Sequence, residues 1–285
     1  MSGLPSFPPG MEEELRSLAT ELEAGGAGKI SAAIEARRRK LLECHCDGIP
    51  VPGGVLTCIG DSHTVFFAGA ERLGFLRHRR MGWFRANWIN RGLDLLPCFR
   101  TFHLGPATAW KCAEPGSSTM TREKLDRVLS KDVSPGSRVL LSFGEIDCRV
   151  HMSKRVMAGE DVGLVARETA RRFMRLPLHV RDRGFQPVVW GPAQTIPNDE
   201  WVVISFPVVG DWKLRRTVTH AYNQALREMC VEKSIPFVVI EEGYELGEGT
   251  DPECFIDGIH LSQRLMPSAL KALHVAGVWE GEAGR

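Results

Sequence analysis

Val55-Leu56-Thr57-Cys58-Ile59-Gly60-Asp61-Ser62-His63-Thr64-Val65-Phe66-Phe67-Ala68-Gly69-Ala70 begins an alternation of strand-like and helix-like segments that runs almost to the end of the chain. Its first five residues form a short apolar run, as expected of a strand covered on both faces. Gly60-Asp61-Ser62 then turns sharply, and the sequence after the turn reads as a helix over 62–73. A strand, a tight turn and a helix in this order place the turn at the C-terminal edge of a parallel sheet, where ligands of open α/β sheets sit. The backbone N–H of Ser62 then lies at a helix N-terminus, which stabilises negative charge.

Four more strands are expected at 98–103, 138–143, 186–191 and 236–240, with helices at 121–131, 160–183, 212–234 and 262–276. Five parallel strands with helices on both faces make a three-layer, flavodoxin-like α/β fold. Ahead of it, Met11, Leu15, Leu18 and Leu22 recur at helical spacing over 11–24, and Gly25-Gly26 ends the run. A second helix over 29–45 carries Ile30, Ile34, Leu41 and Leu42 as its apolar stripe. The chain therefore divides into a helical hairpin over 1–50 and an α/β domain over 51–280. The hairpin's plain role is packing on the core; a dimer contact or a partner site is the other reading.

Near the C-terminus stands Asp257-Gly258-Ile259-His260. A carboxylate three positions before a histidine can orient and charge-balance the imidazole from within one loop. That imidazole can take the proton of a serine hydroxyl, a poor nucleophile at neutral pH without a base. A G-x-S-x-G elbow fits less well, because Thr64 stands where its last glycine would be. The Gly-Asp-Ser turn and the Asp-x-x-His pair, at the two ends of one α/β pattern, resemble the SGNH or GDSL hydrolase family. The resemblance covers residues 53 to 275 and implies a serine esterase or acyl-transfer enzyme with Ser62 as nucleophile, His260 as base and Asp257 as its partner.

The family's second block centres on a glycine that donates its backbone N–H to the oxyanion; Cys98 to His103, Leu104 and Gly105 supply a strand and that glycine. Its third block, G-x-N-D, is represented by Gly144-Glu145-Ile146-Asp147, so the asparagine that donates to the oxyanion is Ile146 here. Losing one such donor costs ~100- to 1,000-fold in rate. Three explanations stand side by side: a substitute donor from the backbone or another loop, reduced activity, or a chain that only binds its ester or glycan. Glu145 and Arg149 either hold a substrate headgroup or pair with each other, and His103 is a further candidate for substrate contact. Asp61 and Asp147 are expected to brace turns, and His63, next to Ser62, to point elsewhere and not to be the base.

Composition removes several classes. With 36 Lys+Arg against 35 Asp+Glu, no net field draws the chain to nucleic acid or an anionic membrane. No run approaches the ~20 apolar residues that span a bilayer, and the first ten residues lack the pattern of a secretory leader, so a cytoplasmic protein is expected. Eight cysteines without a paired framework read as reduced thiols, and Cys44-His45-Cys46 has no second cluster to complete a metal site. Neither metal nor cofactor is expected. The insertion at 74–97 interleaves Arg77, His78, Arg79 and Arg80 with Trp83, Phe84, Arg85, Trp88 and Arg91. It reads first as a solvated loop, second as a substrate lid and last as a nucleic-acid surface. A second insertion, from Gly191-Pro192 to Asp211, is expected to wall a pocket, and Asn223 to pack structurally. The resulting expectation is hydrolysis of a small acyl ester, acetyl for example, on a sugar or metabolite. O-acyl transfer on the same serine and a silent ligand-binding member are the alternatives.

Overall fold

The computed structural model describes residues 10–25, 31–46, 48–70, 77–80, 88–195, 207–240, 245–246, 249–250 and 252–279. In chain order its elements are α1 (Met11–Gly25), α2 (Ala32–His45), β1 (Leu56–Gly60), β2 (Arg77–Arg80), β3 (Trp88–Arg91), β4 (Phe99–His103), α3 (Thr121–Asp132) and β5 (Arg138–Ser142). There follow α4 (Ser153–Met157), α5 (Val162–Asp182), β6 (Gln186–Trp190), α6 (Trp212–Glu232), β7 (Phe237–Val238), the small hairpin of β8 (Glu245–Leu246) and β9 (Gly249–Thr250), and α7 (Met266–Val275). Side-chain oxygens start three of the helices: Ser31 accepts from the Ile34 N–H, Asp161 from Leu164 and Asp211 from Leu214. Such caps satisfy N–H groups that have no partner within the helix.

All five residues of β1 are buried, because the strand is central and both its faces are covered. Its side chains alternate between the two layers. Ile59 joins Val139, Leu141 and Val189 against α3, α5 and α6, through Leu125, Val128, Phe173 and Leu226. Leu56 and Cys58 join Leu140 and Val188 against α1, α2 and α7, through Leu18, Leu41, Leu42 and Leu270. The N-terminal helices thus share a core with the sheet. Arg37 of α2 ties them together, donating to Glu14 of α1 at 2.6 Å and to Glu21 at 2.5 Å.

The parallel strands lie in the order β4-β1-β5-β6-β7. Numbered among themselves along the chain, they read 2-1-3-4-5, the flavodoxin-like arrangement. The expected strands at 55–59, 98–103, 138–143 and 186–191 are found within a residue or so of those bounds, whereas the one at 236–240 is only Phe237–Val238. The helix expected over 62–73 is a short 3₁₀ helix, Ser62–Ala68, that Gly69 ends at φ +79°. The basic insertion departs furthest from expectation. β2 and β3 form an antiparallel ribbon that extends the sheet beyond β4, with Asn90 opposite His103 and Arg91 opposite Phe102. Four consecutive basic residues in β2 conceal the two-residue alternation of a strand, but they suit an edge, where charge discourages further pairing. Trp83, Phe84 and Arg85 lie outside the described residues. No described helix is long and apolar enough to cross a membrane.

Candidate active site

Side-by-side strands bring the first two turns together. Gly60 ends β1 opposite His103 of β4 and Ser142 of β5. A side chain at Gly60 would have its Cβ 2.0 Å from the Ser142 carbonyl oxygen, so only glycine lets these strand ends close up. Leu104, just past β4, donates its N–H to the Gly60 carbonyl at 2.8 Å. This bond sets Gly105, at φ +97°, beside the turn that carries Ser62. Ser62 opens its 3₁₀ helix, so its N–H is among those with no partner within the helix. Asp61 caps that helix, its carboxylate accepting from the His63 N–H at 3.0 Å. Burial pushes the Asp61 carboxyl up to about 6.

Asp257-Gly258-Ile259-His260 comes in from the far end of the chain. Asp257 folds the loop around its own carboxylate: one oxygen accepts from the backbone N–H groups of Ile259 at 3.1 Å and His260 at 2.8 Å. The other lies 2.7 Å from His260 Nδ1, and His260 Nε2 lies 2.7 Å from Ser62 Oγ. Two hydrogen bonds therefore link serine, imidazole and carboxylate across 198 residues of sequence. Burial outweighs the Asp257 carboxylate and lowers the His260 pKa below the ordinary histidine value, and the nearby His63 lowers it further. A neutral imidazole that donates Nδ1–H to Asp257 leaves Nε2 free to accept the serine proton. The Asp257 carboxyl is held below its usual range by these bonds, in spite of partial burial.

A second histidine–carboxylate pair lies against the first. The His63 ring stacks on His260, with centroids 4.7 Å apart and planes 29° apart. His63 Nε2 sits 3.2 Å from Glu145, whose other oxygen accepts from Arg149 Nε at 2.7 Å. Arg149 also donates to the Pro207 carbonyl. Burial opposes charge on His63, yet Glu145 and Asp61 hold its pKa above the ordinary value. Burial likewise opposes charge on Glu145, but His63 and Arg149 bring its carboxyl down to about 2. His63 does not point elsewhere, as expected of it, but lies against the His260 ring. Glu145 and Arg149 pair with each other at 2.7 Å.

Glu145 and Arg149 line a narrow cleft with His63, Gln194, Thr195 and Phe255. Ile146 is half-buried at the start of a π-helical turn, Asp147–Met152, and offers no polar atom from its side chain. Asp147 is fully buried and braces the loop after Gly105, accepting from the Ala109 N–H at 2.6 Å and the Trp110 N–H at 3.4 Å. Burial raises its carboxyl to about 7. His103 Nδ1 lies 3.0 Å from the Asn90 amide nitrogen, and burial lowers its pKa to about 3. Asn223 donates to the Pro192 carbonyl at 2.9 Å and so fixes the loop after β6. A cavity of about 500 Å³ opens beyond Asp147, lined by Thr108, Trp110, Lys111, His151 and Lys154 among others.

No family model and no curated protein matches the sequence. Among solved structures the fold is similar to a native aryl esterase from M. smegmatis, at 15% identity and a TM-score of 0.46 over 79% of this chain and 97% of that one. It is similar also to a carbohydrate acetylesterase from Sinorhizobium meliloti, at 14% identity and a TM-score of 0.45 over 79% and 99% of the two chains. A member of the lipolytic G-D-S-L family from Veillonella parvula matches at 12% identity and a TM-score of 0.40, over 78% and 98%.

Two neighbours of the site escaped sequence reasoning. The place of His63 next to the serine in sequence says little of its direction, because a short 3₁₀ turn does not fix where an adjacent side chain points. Lys124 lies in α3 on the stripe of Thr121, Leu125 and Val128, with no exposed surface, and its Nζ donates to the Leu104 carbonyl at 2.6 Å. The available signal was a lysine at a position where helical periodicity asks for an apolar residue.

Proposed function

We propose that this protein is a serine esterase that removes a small acyl group, acetyl for example, from a sugar or other small metabolite. Ser62 Oγ attacks the ester carbonyl while His260 Nε2 takes its proton. His260 then returns that proton to the departing alcohol oxygen, leaving the acyl group on Ser62. Water, deprotonated by the same nitrogen, attacks the acyl-enzyme and restores the serine. Asp257 holds the imidazole in the tautomer with Nε2 unprotonated and stabilises the imidazolium formed in each half. The backbone N–H groups of Ser62 and Gly105 donate to the oxyanion.

The observation that carries this reading is the hydrogen-bonded chain Ser62–His260–Asp257, with both contacts at 2.7 Å and a neutral imidazole favoured by burial. The adjoining cleft favours a small, polar ester, since His63, Glu145, Arg149, Gln194 and Thr195 line it. A long acyl chain there would strip water from charged groups without replacing their hydrogen bonds. Transfer of the acyl group to a second alcohol would use the same first step. Ile146 favours a second reading, a member that binds its ester without turning it over.

The test is intact-protein mass after exposure to a serine-directed fluorophosphonate, on the native chain and on Ser62→Ala and His260→Ala. One adduct on the native chain, absent from both variants, is expected. Folded native protein that stays unmodified would overturn the esterase reading in favour of binding alone.

A further inference from the structure

An ammonium group with no exposed surface is costly unless something in the fold uses its charge. Lys124 is such a group, and its Nζ meets the Leu104 carbonyl oxygen at 2.6 Å. That oxygen belongs to the same planar, conjugated amide as the Gly105 N–H. A cation bonded to the oxygen draws density from the amide nitrogen and makes its N–H a stronger donor. The preceding N–H of Leu104 is tied to the Gly60 carbonyl at 2.8 Å. Leu104 is thus anchored on one side to the strand that carries the serine turn and on the other to α3. Its onward peptide is held at the strand ends, beside the turn that carries Ser62.

We propose that Lys124 is a positioning residue: it fixes and polarises the Leu104–Gly105 peptide so that the Gly105 N–H donates more strongly to the oxyanion, offsetting the side-chain amide that Ile146 cannot supply. The inference rests on the esterase reading of Ser62. Burial lowers the Lys124 pKa to about 8, against the pull of Glu123, so the group keeps its charge at neutral pH. The same charge is felt at His103, where it adds to burial in holding the imidazole neutral. The oxyanion would lie about 7 Å from Nζ, two hydrogen bonds and one amide away. With an effective dielectric of about 20, a unit charge at that range changes a rate on the order of ten- to fiftyfold.

Three variants of the full chain separate charge from hydrogen bonding and from packing. Lys124→Gln keeps a donor without charge, Lys124→Met keeps only bulk, and Lys124→Arg keeps both charge and donor. Each is checked for folding by circular dichroism, then measured for hydrolysis of 4-nitrophenyl acetate and for the rate of fluorophosphonate adduct formation. The expected result is a kcat loss of roughly tenfold or more in Lys124→Gln, with KM nearly unchanged. The adduct rate should fall in parallel, and Lys124→Arg should recover most of both. Should Lys124→Met fail to fold, the Gln and Arg variants still decide. A folded Lys124→Gln with native kcat and adduct rate overturns the inference, as does a loss confined to KM or a Lys124→Arg no better than Lys124→Gln. Failure of the native chain to form any adduct would refute the esterase reading itself, an outcome distinct from all of these.

Discussion

Replacing His63 by glutamine should move the acid limb of catalysis to higher pH. The two imidazole rings are 4.7 Å apart and both are shielded from solvent, with 11% of the His63 side chain and 4% of the His260 side chain exposed. The His63 pKa is raised and the His260 pKa is lowered, so His63 already carries its proton when His260 titrates. Protonating His260 therefore sets one imidazolium against another. At that separation and an effective dielectric of about 20, the repulsion reaches ~3.5 kcal/mol, or ~2.6 pH units. The carboxylates of Asp257 and Glu145 offset part of it, and a shift of about one unit is expected.

The sign follows from which form acts. His260 works as a base only when neutral, and a lowered pKa keeps it neutral further into acid. His63→Gln retains a donor for Glu145 but no charge, so the His260 pKa rises and the acid limb follows it upward. The assay is the fluorophosphonate adduct rate between pH 4.5 and 9, which reads the free enzyme and needs no known substrate. A limb that stays in place, or moves to lower pH, would refute the argument and mean that His63 carries no charge where His260 titrates.

Asp257→Asn should leave the protein folded and lower kcat on 4-nitrophenyl acetate by ~10³- to 10⁴-fold, because an amide favours the wrong imidazole tautomer. A loss under tenfold would remove Asp257 from the mechanism. Glu145→Gln should cost on the order of 3 kcal/mol in urea unfolding at pH 7, since the Glu145 pKa falls from 4.5 to about 2 on folding. That contribution is fully present above about pH 4.5 and fades as pH falls toward 2, so the gap between variant and native protein should close over that window. Ile146→Asn should raise ester turnover about tenfold if the oxyanion lacks a donor; unchanged turnover would show that the place is already filled. Of eight thiols only Cys44 is exposed, so a thiol reagent should modify one cysteine quickly in the folded protein, and two or more fast sites would contradict the packing.

What could be read from the sequence was what local chemistry fixes. Apolar runs such as Leu56–Ile59 and Val139–Leu141 exist because the strands are covered on both faces, and the turns after them are where a parallel sheet leaves backbone groups free. Ser62, Asp257 and His260 could be singled out because the Asp-x-x-His spacing is a property of one loop. The edge ribbon was illegible for the opposite reason: Arg77–Arg80 has no apolar face, and its strand form depends on β3 and, through it, β4. The partnership of His63 with Glu145 was equally hidden, because it joins turns that follow two different strands, and only the register of β1 against β5 brings them together.

That register leaves two imidazoles, each with its own carboxylate, stacked at the end of one sheet, and their environments divide the labour. Asp257 presents one oxygen to His260 and spends the other on two backbone N–H groups of its own loop, so it orients the ring without overcoming the effect of burial. Against burial, His63 and Arg149 hold Glu145 ionised, and Glu145 in turn raises the His63 pKa. His63 thus holds its proton more tightly than His260 does, although it is the one next to Ser62 in sequence. Its charge still acts, by making the neighbouring ring harder to protonate. If His260 is the base, as proposed, what the second carboxylate does to His63 matters to that choice as much as what Asp257 does to His260.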